Sequence, residues 1–141
     1  MTEKLCWIED EFVDFQIHVH HITKAGYKVD NLSSFAQAKK KFDDQEGQDW
    51  PYILTIFDIN LRPAPGETLT EEQARVAGVD LLVLFRAKFP KKECIVVSNI
   101  LDVLEEADKQ KIKGIRCIDK LDLRIHTIPD ILNKLSASHS T

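Results

Sequence analysis

The chain has 141 residues, 19 Lys and Arg against 23 Asp and Glu, and a formal net charge of −4. With 43% hydrophobic residues it can bury one sizeable core, which excludes a disordered or fibrous class. It lacks the run of about 18 apolar residues that a membrane span needs and has no signal-peptide core, so a cytoplasmic protein is expected, and its mild acidity argues against binding nucleic acid by phosphate neutralisation.

Leu5-Cys6-Trp7-Ile8 is a short apolar run that stops at Glu9-Asp10-Glu11, which predicts a buried strand. Phe12, Phe15, Val19 and Ile22 then recur at helical spacing, with Gly26 as the stop. Tyr27 to Leu32 predicts a second strand, and Ser33 or Ser34 caps a helix that reaches about Asp44. Tyr52 to Phe57 is the third strand and ends on Asp58. The stretch from Ile59 to Gln73 contains Pro63, Pro65 and Gly66 and opens as a loop, and Thr70 with Gln73 suggests a capped extra turn of helix. Val79 to Phe89 is helical, Cys94 to Val97 a fourth strand ending at Ser98, and Leu101 to Ile112 a helix stopped near Gly114. Ile115 to Ile118 is the fifth strand, followed by Asp119-Lys120. The last helix starts near Ile125 or Pro129 and runs to Leu135. The chain thus reads as one α/β domain over residues 1–135, with residues 136–141 as a flexible tail. Five strand–helix units predict a doubly wound, five-stranded parallel sheet.

Cys6, Cys94 and Cys117 share no metal-ligand spacing and read as reduced, buried thiols. His18, His20 and His21 lack a third ligand in the pattern and read as a solvent-facing run, and Lys39-Lys40-Lys41 as a solvated face balanced by Asp43 and Asp44.

In a parallel sheet, ligands bind at the carboxyl ends of the strands. Glu9 and Asp10 follow strand 1, Asp58 ends strand 3, Ser98 ends strand 4 and Lys120 follows strand 5. Carboxylates gathered this closely repel unless a cation neutralises them, and Mg²⁺ with oxygen ligands suits the task. An opposing lysine and a hydroxyl suit phosphoryl transfer, with Asp58 as the nucleophile.

This arrangement resembles the receiver domain of two-component response regulators, the CheY-like family. The resemblance rests on Glu9-Asp10 after Trp7-Ile8, on Ile56-Phe57-Asp58-Ile59-Asn60-Leu61, on Gly78-Val79-Asp80-Leu81-Leu82, on Val96-Val97-Ser98 and on Lys120. It covers the chain from about Lys4 to Leu135 and implies the strand order 2-1-3-4-5. It further implies that Asp58 accepts a phosphoryl group from a phosphohistidine on a sensor histidine kinase or phosphotransfer protein. Asp10, Asp58 and the Asn60 carbonyl would hold Mg²⁺, with Glu9 supporting through water. Lys120 would pair with Asp58 and then with its phosphate. Ser98 would bond the phosphoryl oxygen and remodel the face of the fourth helix, fifth strand and fifth helix that a downstream partner reads.

Four positions depart from the family pattern. Glu9 stands where Asp is commoner. Lys120 precedes Leu121 rather than Pro; a cis bond there would cost about 2.5–4 kcal/mol, so trans is expected. Cys117 takes the place of a switch aromatic. The segment between Asp58 and Gly78 is long, with an insertion at about 62–77 that lies beside the site. Two rival functions follow. One is a pseudo-receiver, an interaction module that is not phosphorylated. The other is an aspartate-nucleophile phosphatase, against which Asn60 argues because such enzymes need a second Asp there. The expectation is an acceptor, not a turnover enzyme.

Overall fold

The computed structural model describes residues 2–59, 71–99 and 104–139, with the side chains of 71–75 and 139 excluded. Five strands, β1 (Lys4–Ile8), β2 (Lys28–Leu32), β3 (Leu54–Phe57), β4 (Cys94–Ser98) and β5 (Arg116–Asp119), form one sheet in the order β2-β1-β3-β4-β5. Every pairing is parallel, as the sequence pattern predicts. The helices are α1 (Gln16–Lys24), α2 (Phe35–Asp44), α3 (Glu71–Lys88), α4 (Glu106–Lys111) and α5 (Thr127–His139).

Alternation along the strands separates two cores. Cys6, Ile8, Phe57 and Val96 face a layer containing Phe42, Trp50 and Phe85, while Leu5, Trp7, Ile56 and Val97 face Phe15, Ile22 and Leu132. Full burial of β1 from Leu5 and of all of β3 explains why both read as unbroken apolar runs. Ser34 caps α2 by accepting the Gln37 N–H at 3.2 Å. Gly26, with φ +100°, turns the chain from α1 into β2 in the left-handed region open to glycine.

Several boundaries differ from the sequence reading. The first helical segment is split: a 3-10 turn covers Phe12–Phe15 and the α-helix begins at Gln16. α3 begins at Glu71, so 71–77, which the sequence pattern assigns to an insertion, form its first two turns. Residues 60–70, including the proposed Thr70 cap, lie outside the described residues. α4 is six residues long rather than starting at Leu101; Leu104 is non-helical, and 101–103 lie outside the described residues. The apolar period that predicts a longer helix comes from Leu104 and Ile112, which are buried at either side of α4. The expected flexible tail is instead helical through His139: Ser138 Oγ donates to the Lys134 carbonyl at 3.0 Å and Ser136 Oγ to Glu3 at 2.5 Å. Pro129 sits within the first turn of α5, where a missing N–H costs no helical bond.

Two side-chain expectations are also corrected. Cys6 is buried, but Cys94 is half-buried and Cys117 exposed, because β5 is an edge strand with Arg116 and Cys117 open to solvent. His18 is half-buried rather than solvent-facing, its ring 5.9 Å from that of Phe15, and burial, with the charge of His21, lowers its pKa. Lys40 pairs with Asp44 at 2.8 Å on the exposed face of α2. No helix among the described residues is long and apolar enough to cross a membrane.

Candidate functional site

The carboxyl ends of β1, β3, β4 and β5 lie side by side, and the backbone ladder continues one step into the site: Asp58 N–H donates to the Ile8 carbonyl at 3.0 Å and Glu9 N–H to the Leu32 carbonyl at 3.0 Å. Asn31 donates from Nδ2 to the carbonyls of Trp7 and Glu9, at 2.9 and 3.0 Å, and fixes the exit of β1. Side chains far apart in sequence, Ser98 and Asp58 by 40 positions and Lys120 and Asp58 by 62, are thereby held over one sheet edge.

Asp58 is 2% exposed. Ser98 Oγ donates to its Oδ1 at 2.9 Å, and Lys120 Nζ donates to its Oδ2 at 3.0 Å. Lys120 also reaches Glu9 Oε2 at 3.1 Å. Glu9 is fully buried, and its Oε1 accepts the Glu11 N–H at 3.1 Å. The peptide between Lys120 and Leu121 is trans, as expected. Glu9, Asp10 and Asp58 each present an oxygen within 4.8 Å of the others. The structure therefore brings together five of the six residues singled out from the sequence; Asn60 lies outside the described residues.

Electrostatics show a surplus of negative charge. Burial, and then the charge of Asp58, push the Glu9 carboxyl up to about 8, against the opposing pull of Lys120. Burial alone would lower the Lys120 pKa, but Asp58 and Glu9 outweigh it and raise it. Lys120 is shared between two carboxylates, Glu9 and Asp58, so either a proton on Glu9 or an added cation relieves their repulsion. The donor set, all carboxylate oxygens, fits a hard divalent ion such as Mg²⁺.

Four supporting groups have no site role in the sequence reading. The Phe15 ring lies 5.4 Å from Lys120 Nζ, a cation–π distance. Its helical spacing marks it as core, which it also is, so no pattern distinguishes the second role. The Glu11 N–H bonds Glu9 through a local turn two residues on, while the Asn31 side-chain amide reaches the Trp7 and Glu9 carbonyls only once β1 and β2 pair. Gly78 is the last: a Cβ there would stand 1.9 Å from the Ile59 carbonyl oxygen, so only glycine lets α3 approach the residue after Asp58.

No protein-family model matches the chain, and no curated protein matches it by sequence. Solved structures do. The signal receiver domain of an HD domain-containing protein from Pseudomonas fluorescens Pf-5 superposes with a TM-score of 0.68 at 16% identity, covering 100% of both chains. A CheY-like receiver domain from Methanospirillum hungatei gives 0.66 at 16% identity, over 98% of this chain and 99% of the other. A response regulator from Thermotoga maritima, solved in complex with Mg²⁺-BeF, gives 0.66 at 17% identity, over 95% and 99%. The chain has the CheY-like receiver fold, a five-stranded flavodoxin-like sheet in the order 2-1-3-4-5. It is similar over nearly its whole length to response-regulator receiver domains.

Proposed function

We propose that the protein is a phosphorylation switch in which Asp58 accepts a phosphoryl group from a phosphohistidine. The observation that carries this reading is the environment of Asp58: a buried carboxylate bonded on one oxygen by a hydroxyl and on the other by an ammonium, beside two further carboxylates. An Asp58 oxygen would attack phosphorus as the phosphorus–nitrogen bond of the donor breaks, and the imidazole leaves with a proton. Mg²⁺, held by Asp10 and Asp58 with Glu9 behind and the Asn60 carbonyl as a further ligand, would supply charge neutralisation at the phosphoryl oxygens. Lys120 would pass from Asp58 to the new phosphate, and Ser98 would turn its hydroxyl to a phosphoryl oxygen, shifting the end of β4 towards α4, β5 and α5. The role is that of an acceptor, since Asn60 stands in the sequence two residues after Asp58, where aspartate-nucleophile phosphatases carry their second Asp.

A sensor histidine kinase or phosphotransfer protein is the corresponding donor. Val13 and Ile17 are 74% and 67% exposed on successive turns and Leu121 is 85% exposed. A downstream partner of the α4–β5–α5 face completes the reading.

One observation favours the alternative, a receiver-like interaction module that is not phosphorylated: Glu9 and Asp58 are already sealed by Lys120 and Ser98. A small phosphodonor with Mg²⁺, followed by intact-mass measurement, decides between them. The expected result is a single phosphoryl adduct in the wild type and none in Asp58→Asn. An unmodified wild type favours the interaction module.

A further inference from the structure

We infer that Lys120 is a built-in cation that competes with the divalent ion for the site's carboxylates, and that the length of the Glu9 side chain sets the strength of this competition. The inference rests on reading the site as a divalent-cation site.

Lys120 Nζ lies 3.0 Å from Asp58 Oδ2 and 3.1 Å from Glu9 Oε2, with side-chain exposures of 16%, 2% and 0% for lysine, aspartate and glutamate. The grip is double: a hydrogen bond to Asp58 and an ion pair with Glu9. Glu9 is fixed from behind by the Glu11 N–H, and the Phe15 ring adds an attractive face 5.4 Å from the ammonium. The same two carboxylates form, with Asp10, the oxygen trio that suits a cation. An ammonium and a divalent ion at shared ligands repel each other strongly where water is excluded. An entering ion must therefore loosen Lys120, and by linkage Lys120 must weaken the ion to the same degree. Glutamate in place of aspartate is what completes the grip: one methylene fewer withdraws the carboxylate by about 1.5 Å, beyond bonding reach of the ammonium. The departure at Glu9 then changes the ion's competitor rather than the ligand count.

The test is a calorimetric Mg²⁺ titration of the full chain, at a pH above the ionisation of the Glu9 carboxyl. Glu9→Asp retains every charge and should bind Mg²⁺ about threefold or more tighter than the wild type. Lys120→Met should bind about tenfold tighter, and Lys120→Arg should stay near the wild type. Without metal, Lys120→Met should melt lower than the wild type and regain more on Mg²⁺ addition. If Lys120→Met does not fold, Glu9→Asp carries the decision alone. Equal or weaker binding by Glu9→Asp overturns the competition while leaving the cation site intact. An absence of heat and of thermal shift in every variant overturns the cation site, and the competition with it.

Discussion

Ser98 and Asp58, forty positions apart, share a buried hydrogen bond of 2.9 Å from hydroxyl to carboxylate across the β3–β4 pair. Ser98 is itself fully buried, so the bond is shielded from water and ties the end of β4 to the end of β3. Ser98→Ala leaves a buried carboxylate oxygen short of a donor, which costs about 1–3 kcal/mol. A chain of this length should lose about 2–4 °C of melting temperature per kcal/mol. Thermal unfolding measures it, and an unchanged melting temperature contradicts the assigned bond.

The metal-free chain should lose stability as pH rises. The Glu9 carboxyl stands at about 8 when folded, above its ordinary 4.5. Between those values the folded chain holds a proton that the unfolded chain has released, so stability is greatest below the lower value and falls through the upper one. Glu9→Gln removes the proton from both states and should flatten the profile. Melts with a chelator present, across that window, read the difference. A wild-type profile that rises with pH, or one that parallels Glu9→Gln, runs against the assignment.

Gly78→Ala should be costly although the residue is helical and alanine is the better helix former. The added carbon would stand 1.9 Å from the Ile59 oxygen, which is backbone and cannot yield without moving the residue next to Asp58. Overpacking of this kind costs about 1–3 kcal/mol. Denaturant unfolding should show the loss, and Mg²⁺ affinity should fall with it. A neutral or stabilised variant would remove the close contact from the account of the site.

The three thiols should react in a fixed order. Cys117 is exposed and should react first. Cys94 is half-buried, and burial pushes its thiol up to about 11, which keeps the thiolate scarce near neutral pH. Cys6 is buried, with burial and Asp30 raising it, and should react only on unfolding. Timed labelling followed by peptide mass mapping gives the order; early labelling of Cys6 would contradict the packing of β1.

The sequence-to-structure relation is uneven for identifiable reasons. The three inner strands were legible because burial on both faces leaves unbroken apolar runs, the two edge strands by their place in the strand–helix alternation, and the strand-end residues because the runs stop at a charge or hydroxyl. Strand order came from the family resemblance, since periodicity says nothing of neighbours. The extent of α4 was misread because Leu104 and Ile112 supply a helical period from outside a six-residue helix. The exposure of Cys117 was missed because an apolar run does not reveal that its strand is an edge with only partial cover. The double grip on Lys120 depends on side-chain reach across β1, β3 and β5, which no spacing along the chain encodes.

The two tryptophans stand on opposite faces of the sheet, and this gives the chain a pair of separate optical reporters. Trp50 sits among Phe42, Phe85 and Phe89, with its indole N–H bonded to Thr55 Oγ1 at 2.8 Å. Trp7 lies two residues before Glu9, its buried indole N–H without a hydrogen-bond partner, and its ring is 4.8 Å from that of Phe15, which in turn faces the ammonium of Lys120. Any release of Lys120 is therefore felt by Trp7 through a single aromatic neighbour, while Trp50 is screened by the whole thickness of β1 and β3. In Trp50→Phe the remaining emission would follow the lysine without an attached dye, and in Trp7→Phe it would follow the opposite core alone.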